Sequence, residues 1–366
     1  MLAMHKEIGS EFWSNCTPIT NKEYTMRPSA IYDTCRYRVL ETLSGRTALD
    51  HIVELLIGHG MKSAYLPSYC CHTMIEPFLA HGMNVLFYEV VLSKNGIHRL
   101  IDENHKCDCI LLMDYFGYVD VETNEIAVRE NNKNVITIYD ATHSMYSKMD
   151  YEPYDYIYGS YRKWVDVNCG FLAWKEEGNN GEITQNDNNG NYSSIRTKLF
   201  DLKAGFIKGG QVEKDQFLPL INEAEMILEN EYRHRMPDIR SKEVMRITDA
   251  EYIKVNRRNN AETITEAINE LNDVRVRCAN PQLNVSDIPL FVPVIVSSEY
   301  RNSLRRFLIE HEIYCPVHWP KSEFHQFNQR SVFLFDSELS LICDQRYNRF
   351  DMIRIVNTIK NYLKQC

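Results

Sequence analysis

The sequence predicts an α/β fold in which a large domain with a mostly parallel sheet is followed by a small C-terminal α+β domain. Between about residues 35 and 175, short apolar runs alternate with segments of helical periodicity, the pattern of parallel strands joined by crossover helices. A polar, helix-prone region then extends from residue 197 to about residue 272. The chain ends with an alternating strand and an amphipathic helix. We therefore expect a sheet sandwiched by helices, with a smaller unit behind it.

The elements of the large domain follow in a regular order. A helix is expected after Ser44-Gly45-Arg46, because apolar residues between Leu49 and Ile57 recur at helical spacing. The segment 178–192 is rich in Asn and Gly and nearly free of apolar residues, so a flexible surface excursion is expected there. Bounded apolar runs predict strands at 63–66, 84–91, 109–113, 135–139, 154–158 and 170–174.

The C-terminal part has the elements of a second domain. A long periodic segment at 250–271 predicts a helix that links the two domains, residues 289–297 alternate like a strand, and a final helix begins at about Arg349. The predicted division is an N-terminal segment 1–30 packed near the active site, a large domain 31–245 and a small domain 246–366.

Composition limits the function classes that fit the chain. Its 366 residues suffice for one large domain and a smaller companion, and 44% hydrophobic and 25% charged residues are ordinary for a soluble globular enzyme. A net charge of −9 argues against nucleic-acid binding, which needs a basic surface. No stretch approaches the roughly 20 apolar residues of a membrane span, and the N-terminus lacks the apolar core of a signal peptide. A cytoplasmic protein without membrane partners is therefore expected.

The 11 cysteines predict reduced thiols, because an odd number in a long chain does not indicate a disulfide framework. Cys70-Cys71 and Cys107-x-Cys109 lack the spacing of a zinc site, so no metal site is predicted.

Lys163 and Asp140 carry the strongest chemical indication. Asp140 ends the apolar run at 135–139, and Lys163 follows 23 residues later, just beyond the next predicted strand. Pyridoxal 5'-phosphate chemistry needs this pair: the lysine amine binds the cofactor aldehyde covalently, and the aspartate keeps the pyridine nitrogen protonated, so that the ring accepts electrons. The competing interpretations are a solvated surface lysine and a turn or cap aspartate. Aromatic neighbours at Tyr161 and Trp164 favour the catalytic one.

Two segments are candidates for binding the cofactor phosphate. Ser44-Gly45-Arg46-Thr47 stands at a helix start, where free backbone N–H groups and the helix dipole attract anions. Its Thr47 hydroxyl is a further donor, although an ordinary capped helix explains the same residues. Ser160, three residues before Lys163, is a second candidate.

Ring-bearing residues near the predicted strand ends are candidates for contact with the pyridine ring. Tyr69 and His72 follow the strand at 63–66, and the sequence does not choose between them as the stacking partner. His143, three residues after Asp140, is either a contact of the cofactor's phenolic oxygen or ring or a buried structural histidine.

In this ordered set of segments the chain resembles the DegT/DnrJ/EryC1/StrS sugar aminotransferases, which belong to fold type I of the pyridoxal phosphate enzymes. The resemblance covers nearly the whole chain. The segments that carry it are Ile8-Gly9-Ser10-Glu11-Phe12-Trp13, Ser44-Gly45-Arg46-Thr47-Ala48-Leu49, Leu66-Pro67-Ser68-Tyr69, Asp114-Tyr115-Phe116-Gly117, Asp140-Ala141-Thr142-His143-Ser144, Ser160-Tyr161-Arg162-Lys163, Arg257-Arg258-Asn259-Asn260 and Cys315-Pro316-Val317-His318-Trp319-Pro320.

The resemblance implies a cofactor bound covalently at Lys163, a pyridine partner at Asp140, and phosphate contacts from Arg46, Thr47 and Ser160. It also implies a homodimer with active sites at the subunit interface. The implied reaction moves an amino group, with glutamate as the expected donor, to a nucleotide-linked keto-sugar, in the biosynthesis of amino sugars and surface polysaccharides.

Three positions depart from the family's usual pattern. His143 stands where the family usually has glutamine, Tyr158 where it more often has serine, and Cys169-Gly170 where it has two glycines. These departures concern the phosphate and ring contacts and indicate a divergent branch. They leave the lysine and aspartate in place.

Substrate contacts are expected from residues at both ends of the chain. Trp13, His318 and Trp319 offer flat rings on which sugars and bases pack, although the same residues would also suit domain packing. Arg257, Arg258 and Asn259 are candidates near the partner's site.

Two other functions remain open at this point. One is a different reaction on the same fold, a sugar dehydratase or an amino-acid enzyme. Lys163 counts against the dehydratase, because the family's deoxygenating relatives replace this lysine with histidine. The other is a non-catalytic binding homologue.

Overall fold

An eight-stranded, mostly parallel sheet forms the centre of the protein. The structure is a computed structural model that describes residues 7–23, 26–32, 36–102, 104–120, 134–175, 183–186, 190–326 and 329–366. In chain order the described strands are β1 (Ile8–Gly9), β2 (Tyr37–Thr42), β3 (Ser63–Pro67), β4 (Asn84–Leu92), β5 (Ile97–Leu100), β6 (Cys109–Met113), β7 (Ile136–Asp140), β8 (Tyr156–Ser160), β9 (Gly170–Lys175), β10 (Val276–Cys278), β11 (Val292–Val296), β12 (Ile313–Tyr314) and β13 (Glu338–Leu341).

Helices cover this sheet and build most of the second half of the chain. Two short 3-10 turns accompany them, at Tyr161–Lys163 and Lys214–Gln216. The described helices are α1 (Ser29–Tyr32), α2 (Gly45–Gly58), α3 (His72–Ala80), α4 (Gly190–Ile207), α5 (Leu218–Glu231), α6 (Ile239–Ile247), α7 (Ala250–Leu271), α8 (Ser298–Glu310), α9 (Gln329–Ser337) and α10 (Arg349–Leu363).

The order of strands in the large sheet is β2-β9-β8-β7-β6-β3-β4-β5. Neighbours from β8 to β4 pair in parallel, whereas β9 is antiparallel to both β2 and β8, and β5 is antiparallel to β4. The predicted α/β class with a mostly parallel sheet is therefore confirmed. A separate three-stranded antiparallel sheet, β10-β11-β13, belongs to the C-terminal part.

The six strands predicted for the large domain are present, with ends that differ by at most two residues, and the strand predicted at 289–297 is shorter, at Val292–Val296. The predicted helix at 250–271 matches α7, and the final helix begins at Arg349 as expected. Most of the predicted excursion at 178–192 lies outside the described residues. The expectation is wrong for residues 190–192, which open α4, because Tyr192 is buried in an apolar cluster with α5.

Two apolar cores lie on either side of α7. The larger core surrounds the eight-stranded sheet and includes Ile253 from the first half of α7. The second core packs α10 and the three-stranded sheet around Ile264 and Ile268 from the other half of the same helix. Ile8 in β1 also belongs to the second core, where β1 pairs with β12. One helix therefore contributes to both halves of the molecule.

No described helix combines the length and the apolar character needed to cross a membrane.

The start of α2 touches the large sheet through backbone atoms. A Cβ added at Gly170, the first residue of β9, would lie 2.5 Å from the carbonyl carbon of Ser44 and 2.8 Å from the Gly159 oxygen. Real Cβ atoms do not approach backbone so closely, so only glycine fits. Gly117 is similarly restricted, because its φ of +88° is unfavourable for other residues.

We predict that Gly170→Ala destabilises the protein by about 1–3 kcal/mol, the usual cost of adding a methyl group to a well-packed site. Gly58→Ala is the matched control, because its Cβ would meet nothing within 4 Å. The control should leave stability unchanged or raise it slightly, since alanine favours helices. Urea unfolding of both variants measures the difference, and equal midpoints would contradict the packing argument.

Candidate active site

Two adjoining cavities meet at the carboxyl edge of the large sheet. The sheet-edge cavity, of about 260 Å³, is lined by the ends of β7 and β8, the start of α2 and the start of α3. The arginine-rich cavity, of about 460 Å³, is lined by the segment after β1, by α4 and by residues of the C-terminal part. Arg162, Lys163 and Glu225 line both cavities. Carboxyl ends of parallel strands are where ligands bind in α/β folds.

Lys163 lies at the boundary of the two cavities, on the 3-10 turn that follows β8. More than a third of its surface is accessible, but that surface faces the cavities. Enclosure by protein, followed by the charge of Arg162, lowers the pKa of the Lys163 amine. The next residue, Trp164, is fully buried and donates a hydrogen bond to the Thr142 carbonyl (2.8 Å), which anchors the turn.

Asp140 ends β7 and is held by two donors. Its Oδ1 accepts from the Thr142 N–H (2.8 Å), and its Oδ2 accepts from the Tyr158 hydroxyl (2.9 Å). Burial raises the pKa of Asp140, and the hydrogen bonds from Thr142 and Tyr158 oppose this shift. A cation beside Asp140 would stabilise its ionised form. Tyr158 therefore positions the Asp140 carboxylate. The sequence pattern did not predict this role.

Arg46 and Ser160 lie in the same cavity and carry unsatisfied donors. The Arg46 side chain is 7% exposed, and its Nη1 is buried without a hydrogen-bond partner, while Nη2 lies 3.5 Å from Glu76 Oε2. The Ser160 hydroxyl is also buried without a partner. Buried polar atoms without partners are rare because they cost about 1–3 kcal/mol each. An anion with several oxygen acceptors, such as a phosphate, would satisfy both.

Two residues predicted to contact the cofactor do not line the sheet-edge cavity. Thr47 does not line the cavity, because its hydroxyl donates to the Tyr232 carbonyl (2.8 Å) and its N–H caps α2 through Ser44. Tyr69 is fully buried beneath the cavity, where it packs against Trp319 (5.1 Å between ring centroids) and its hydroxyl donates to the His318 carbonyl.

The other ring candidates do line the sheet-edge cavity. His72 lies at the start of α3, and a hydrogen bond with the Cys71 side chain raises its pKa. Trp319 stacks on His143, with centroids 5.5 Å apart and planes inclined by 21°. Burial, followed by the charge of Lys163, lowers the pKa of His143 to about 3, so this imidazole is neutral at physiological pH. Trp319, expected to contact the substrate, therefore lines the sheet-edge cavity.

Three expected substrate residues lie elsewhere. Trp13 packs against a cluster around Leu199, and its neighbour Phe12 lines the arginine-rich cavity in its place. Asn259 is exposed and lines neither cavity. Arg258 faces away and donates to the carbonyl oxygens of residues 284 and 287.

The arginine-rich cavity has more cations than carboxylates. Three carboxylates face six cationic side chains, and three arginines pair with them at 2.7–3.0 Å. Arg257 is 1% exposed, and among the described residues its hydrogen bonds go to neutral acceptors, Gln345 Oε1 and the Leu290 carbonyl, both at 2.8 Å. The cations are Arg162, Lys163, Arg196, Arg257, Arg305 and Arg346, and the carboxylates are Glu11, Glu225 and Asp344. This excess of positive charge suits an anionic ligand.

His318 enters the arginine-rich cavity from the C-terminal part, at the end of a hydrogen-bond chain. Its Nδ1 lies 2.8 Å from Ser340 Oγ, and the Ser340 hydroxyl donates to Glu338 Oε1. The His318 N–H donates to the other Glu338 oxygen (2.8 Å). Burial, then His143 and Lys163, lowers the pKa of His318.

Sequence reasoning missed the paired arginines and the carboxylates of the second cavity. Of these residues, Arg162 could have been identified from the sequence, because it directly precedes Lys163. Glu225 and Arg196 lie on α5 and α4, where they read as ordinary charges on polar helices. Only the fold brings these distant residues together.

Comparison with known proteins finds relatives by structure alone. No family model and no curated protein matches the sequence. A putative sugar aminotransferase, Spr1654 from Streptococcus pneumoniae in its PMP form, has a TM-score of 0.65 at 13% identity and covers 95% of this chain and 92% of its own. PseC from Helicobacter pylori, an aminotransferase involved in the biosynthesis of pseudoaminic acid, has a TM-score of 0.62 at 11% identity, with coverages of 97% and 100%.

A DegT DnrJ EryC1 StrS aminotransferase from Brucella abortus has a TM-score of 0.56 at 15% identity and covers 89% of this chain and 86% of its own. Likeness at these identities shows the fold. The predicted fold, that of fold type I transferases with a large sheet domain and a small C-terminal part, is confirmed.

The buried Glu338 gives the stability of this protein a specific pH dependence. Burial raises its pKa from 4.5 to about 8, so the folded state binds this proton more tightly than the unfolded state. The stabilisation is complete below pH 4.5 and is lost as the pH rises towards 8. Glu338→Gln mimics the protonated acid. The free energy of unfolding of the variant should equal that of the wild type near pH 5. Above that pH it should exceed the wild-type value by up to about 1.4 kcal/mol per pH unit. Urea unfolding at pH 5.5 and 7.5 measures this, and Glu310→Gln on exposed surface is the control.

Proposed function

We propose that this protein is a pyridoxal phosphate-dependent aminotransferase of the DegT/DnrJ/EryC1/StrS type. In this proposal it transfers an amino group from glutamate to a nucleotide-linked keto-sugar. The observation that carries the proposal is the position of Lys163, which lines both cavities. The sheet-edge cavity has a carboxylate and unpartnered hydrogen-bond donors that suit a phosphate. The arginine-rich cavity has an excess of positive charge. The fold shared with solved sugar aminotransferases supports it.

The side chains of the sheet-edge cavity fit the cofactor. Arg46 and Ser160 would hold the phosphate, since each has a buried donor without a partner. Asp140 would accept from the pyridine nitrogen, and His143, backed by Trp319, would lie against the ring or its phenolic oxygen. When bound, pyridoxal phosphate supplies an electron sink for charge that develops at the substrate carbon.

Lys163 is the base and acid of the proposed reaction. Its lowered pKa increases the share of neutral amine, which is the form that reacts with an aldehyde and the form that accepts a proton. Because the side chain lines both cavities, Nζ can take a proton from a substrate in one and return it on the cofactor side. Glu225 also lines both cavities.

Asp140 would stabilise a protonated pyridine nitrogen. Burial raises the pKa of Asp140, and a positive charge beside it would lower this pKa again, so that each charge would stabilise the other. The hydrogen bonds from Thr142 and Tyr158 fix the carboxylate in one orientation.

The arginine-rich cavity would bind the substrates. Arg257 has no carboxylate partner among the described residues and can pair with a phosphate or carboxylate oxygen. Phe12 and Phe291 line the same cavity and offer apolar faces to a sugar or base. His318 also lines this cavity, where its ring can form a hydrogen bond with a sugar hydroxyl. A homodimer in the cytoplasm, acting in amino-sugar or surface-polysaccharide biosynthesis, remains part of the proposal.

We predict that borohydride reduction of the purified protein attaches a pyridoxyl group to Lys163. Peptide mapping by mass spectrometry locates the label. Lys163→Ala should fold, because the residue lies in a cavity, and should lose the label and the yellow colour of bound cofactor. Label on Lys148 or Lys175 in the wild type would contradict the assignment, and Lys148→Ala serves as the control that keeps both signals.

The substrate proposal is tested by incubating the protein with glutamate and a panel of nucleotide-linked keto-sugars, with mass spectrometry to detect the amino-sugar product. A protein that binds the cofactor but aminates none of them, while converting keto-acids, would favour the amino-acid enzyme. A colourless protein that stays inactive with added cofactor would favour the non-catalytic homologue.

Asp140→Asn should bind the cofactor but react at least about 100-fold more slowly, a loss of about 2.7 kcal/mol, because an amide does not keep the pyridine nitrogen protonated. Single-turnover decay of the cofactor absorbance with glutamate measures this. Asp150→Asn, on an exposed loop, should react at the wild-type rate. Equal rates in both variants would assign the role to another acid.

A further inference from the structure

A second group of ligand-type side chains lies outside both cavities, on the far part of α2. His51 and Glu54 stand three residues apart on one face of this helix, and His234 reaches them from the segment after α5. One nitrogen of each histidine and one Glu54 oxygen lie within 4.8 Å of one another. None of these three residues lines either cavity of the active site.

His51 is a buried histidine whose polar atoms are unexplained. Its side chain is 2% exposed, and its Nε2 is buried without a hydrogen-bond partner. Its Nδ1 lies 3.6 Å from Glu54 Oε2, which is too long for a hydrogen bond. Native proteins rarely leave such a ring unsatisfied unless it meets a water or an ion.

His234 is oriented as metal-binding histidines usually are. Its Nδ1 lies 3.2 Å from the Thr184 carbonyl oxygen, which can only accept, so Nδ1 carries a proton. In the neutral ring the lone pair is then on Nε2, which lies 3.2 Å from Glu54 Oε1. Two acceptors at this distance repel unless a cation or a proton lies between them. Donation from the second ring nitrogen to a carbonyl is the common support of a metal-bound histidine.

The spacing agrees with a shared ion better than with a shared proton. His234 Nε2 lies 3.2 Å from Glu54 Oε1, and His51 Nδ1 lies 3.6 Å from the other oxygen, Oε2. Ligand atoms about 2.0–2.1 Å from a tetrahedral zinc ion are about 3.3 Å apart, which is close to both distances. A proton on His234 Nε2 would bridge to Glu54 Oε1 but would not bridge His51 Nδ1 to Oε2. A divalent ion would bind all three ligands.

Asp50 and His81 lie close by but already bind each other. His81 Nε2 is 3.0 Å from Asp50 Oδ1, and the other Asp50 oxygen lies 3.7 Å from Arg233. Asp50 Oδ2 is itself buried without a hydrogen-bond partner, and Asp50 and His81 form a second ligand-type group that shares Glu54.

We propose that His51, Glu54 and His234 bind a divalent first-row transition ion, with Zn²⁺ as the expected metal and water as the fourth ligand. Two imidazoles and one carboxylate are ligands that zinc prefers. The ion would tie α2 to the segment that follows α5. Thr47, near the start of α2, already donates to the Tyr232 carbonyl of that segment (2.8 Å), so the ion would reinforce an existing contact. This site does not depend on the proposed catalytic function.

The test measures metal in the full-length chain. Wild type, His51→Ala, His234→Ala and Glu54→Gln are stripped with EDTA, dialysed against ZnCl₂, passed through a desalting column and analysed by mass spectrometry for zinc per chain. The wild type should retain one zinc more than each variant, with affinity lowered at least roughly tenfold by each substitution. His59→Ala, an exposed histidine at the end of the same helix, should retain it. Circular dichroism confirms that each variant folds, and Glu54→Gln, at a half-buried position, is the mildest change.

Cobalt substitution identifies the ligands, because the chain also has thiols. Co²⁺ in the wild type should give the visible bands of a tetrahedral site without sulfur-to-metal charge transfer, and the bands should vanish in His51→Ala. Zinc retention equal in the wild type and in the three ligand variants would overturn the proposal. So would thiolate absorption in the cobalt protein, or loss of the metal in His81→Asn but not in His51→Ala.

Discussion

The approach of three backbone segments, around Ser44-Gly45, Gly159-Ser160 and Gly170, determines the geometry of the site. A Cβ at Gly170 would fall within 2.8 Å of both of the other segments, so the contact exists only because this residue has no side chain. It brings the first turn of α2 against the end of β8. Arg46 and Ser160 thereby converge on one cavity, and Lys163 follows one short turn later.

Charge around Lys163 is arranged so that the amine is surrounded by paired cations. Arg162 contacts Glu225 at 2.8 Å and Arg196 contacts Glu11 at 3.0 Å, and the carboxylate of each pair is partly exposed, at 42% and 31%. Partly exposed pairs of this kind contribute little net stability, because solvent screens their attraction. Their effect is local: the charge of Arg162 favours the neutral form of the lysine, while the cavity keeps a positive potential that attracts anions.

The local sequence pattern was sufficient to predict the large sheet and α7, and to identify Asp140 and Lys163 at the ends of strands. Asp140 and Lys163 were identifiable because each follows a bounded apolar run, and the direction of parallel strands places such ends together. The same reasoning failed for Thr47 and Tyr69. Their types suit a ligand, but their hydroxyls donate to the backbone carbonyls of Tyr232 and His318, and a local pattern does not reveal such distant partners.

The residues of the second cavity were harder to predict for a related reason. Arg196, Glu225 and Asp344 are widely separated in the chain and resemble ordinary surface charges on polar segments. The metal-type group had a weak local signal, the His51 and Glu54 pair at helical spacing, but its third member comes from another element. Cysteine spacing, the criterion applied to the sequence, does not detect histidine and carboxylate ligands.

The helix α7 spans both cores, with Ile253 in the larger and Ile264 in the smaller one. Arg257 lies between them, with its guanidinium 4.5 Å from the centre of the Trp164 ring. Because α7 packs into both cores, a displacement of one core relative to the other would act on the part of the helix between them. Because Arg257 stacks on Trp164, a displacement of this part of α7 would change a contact next to Lys163.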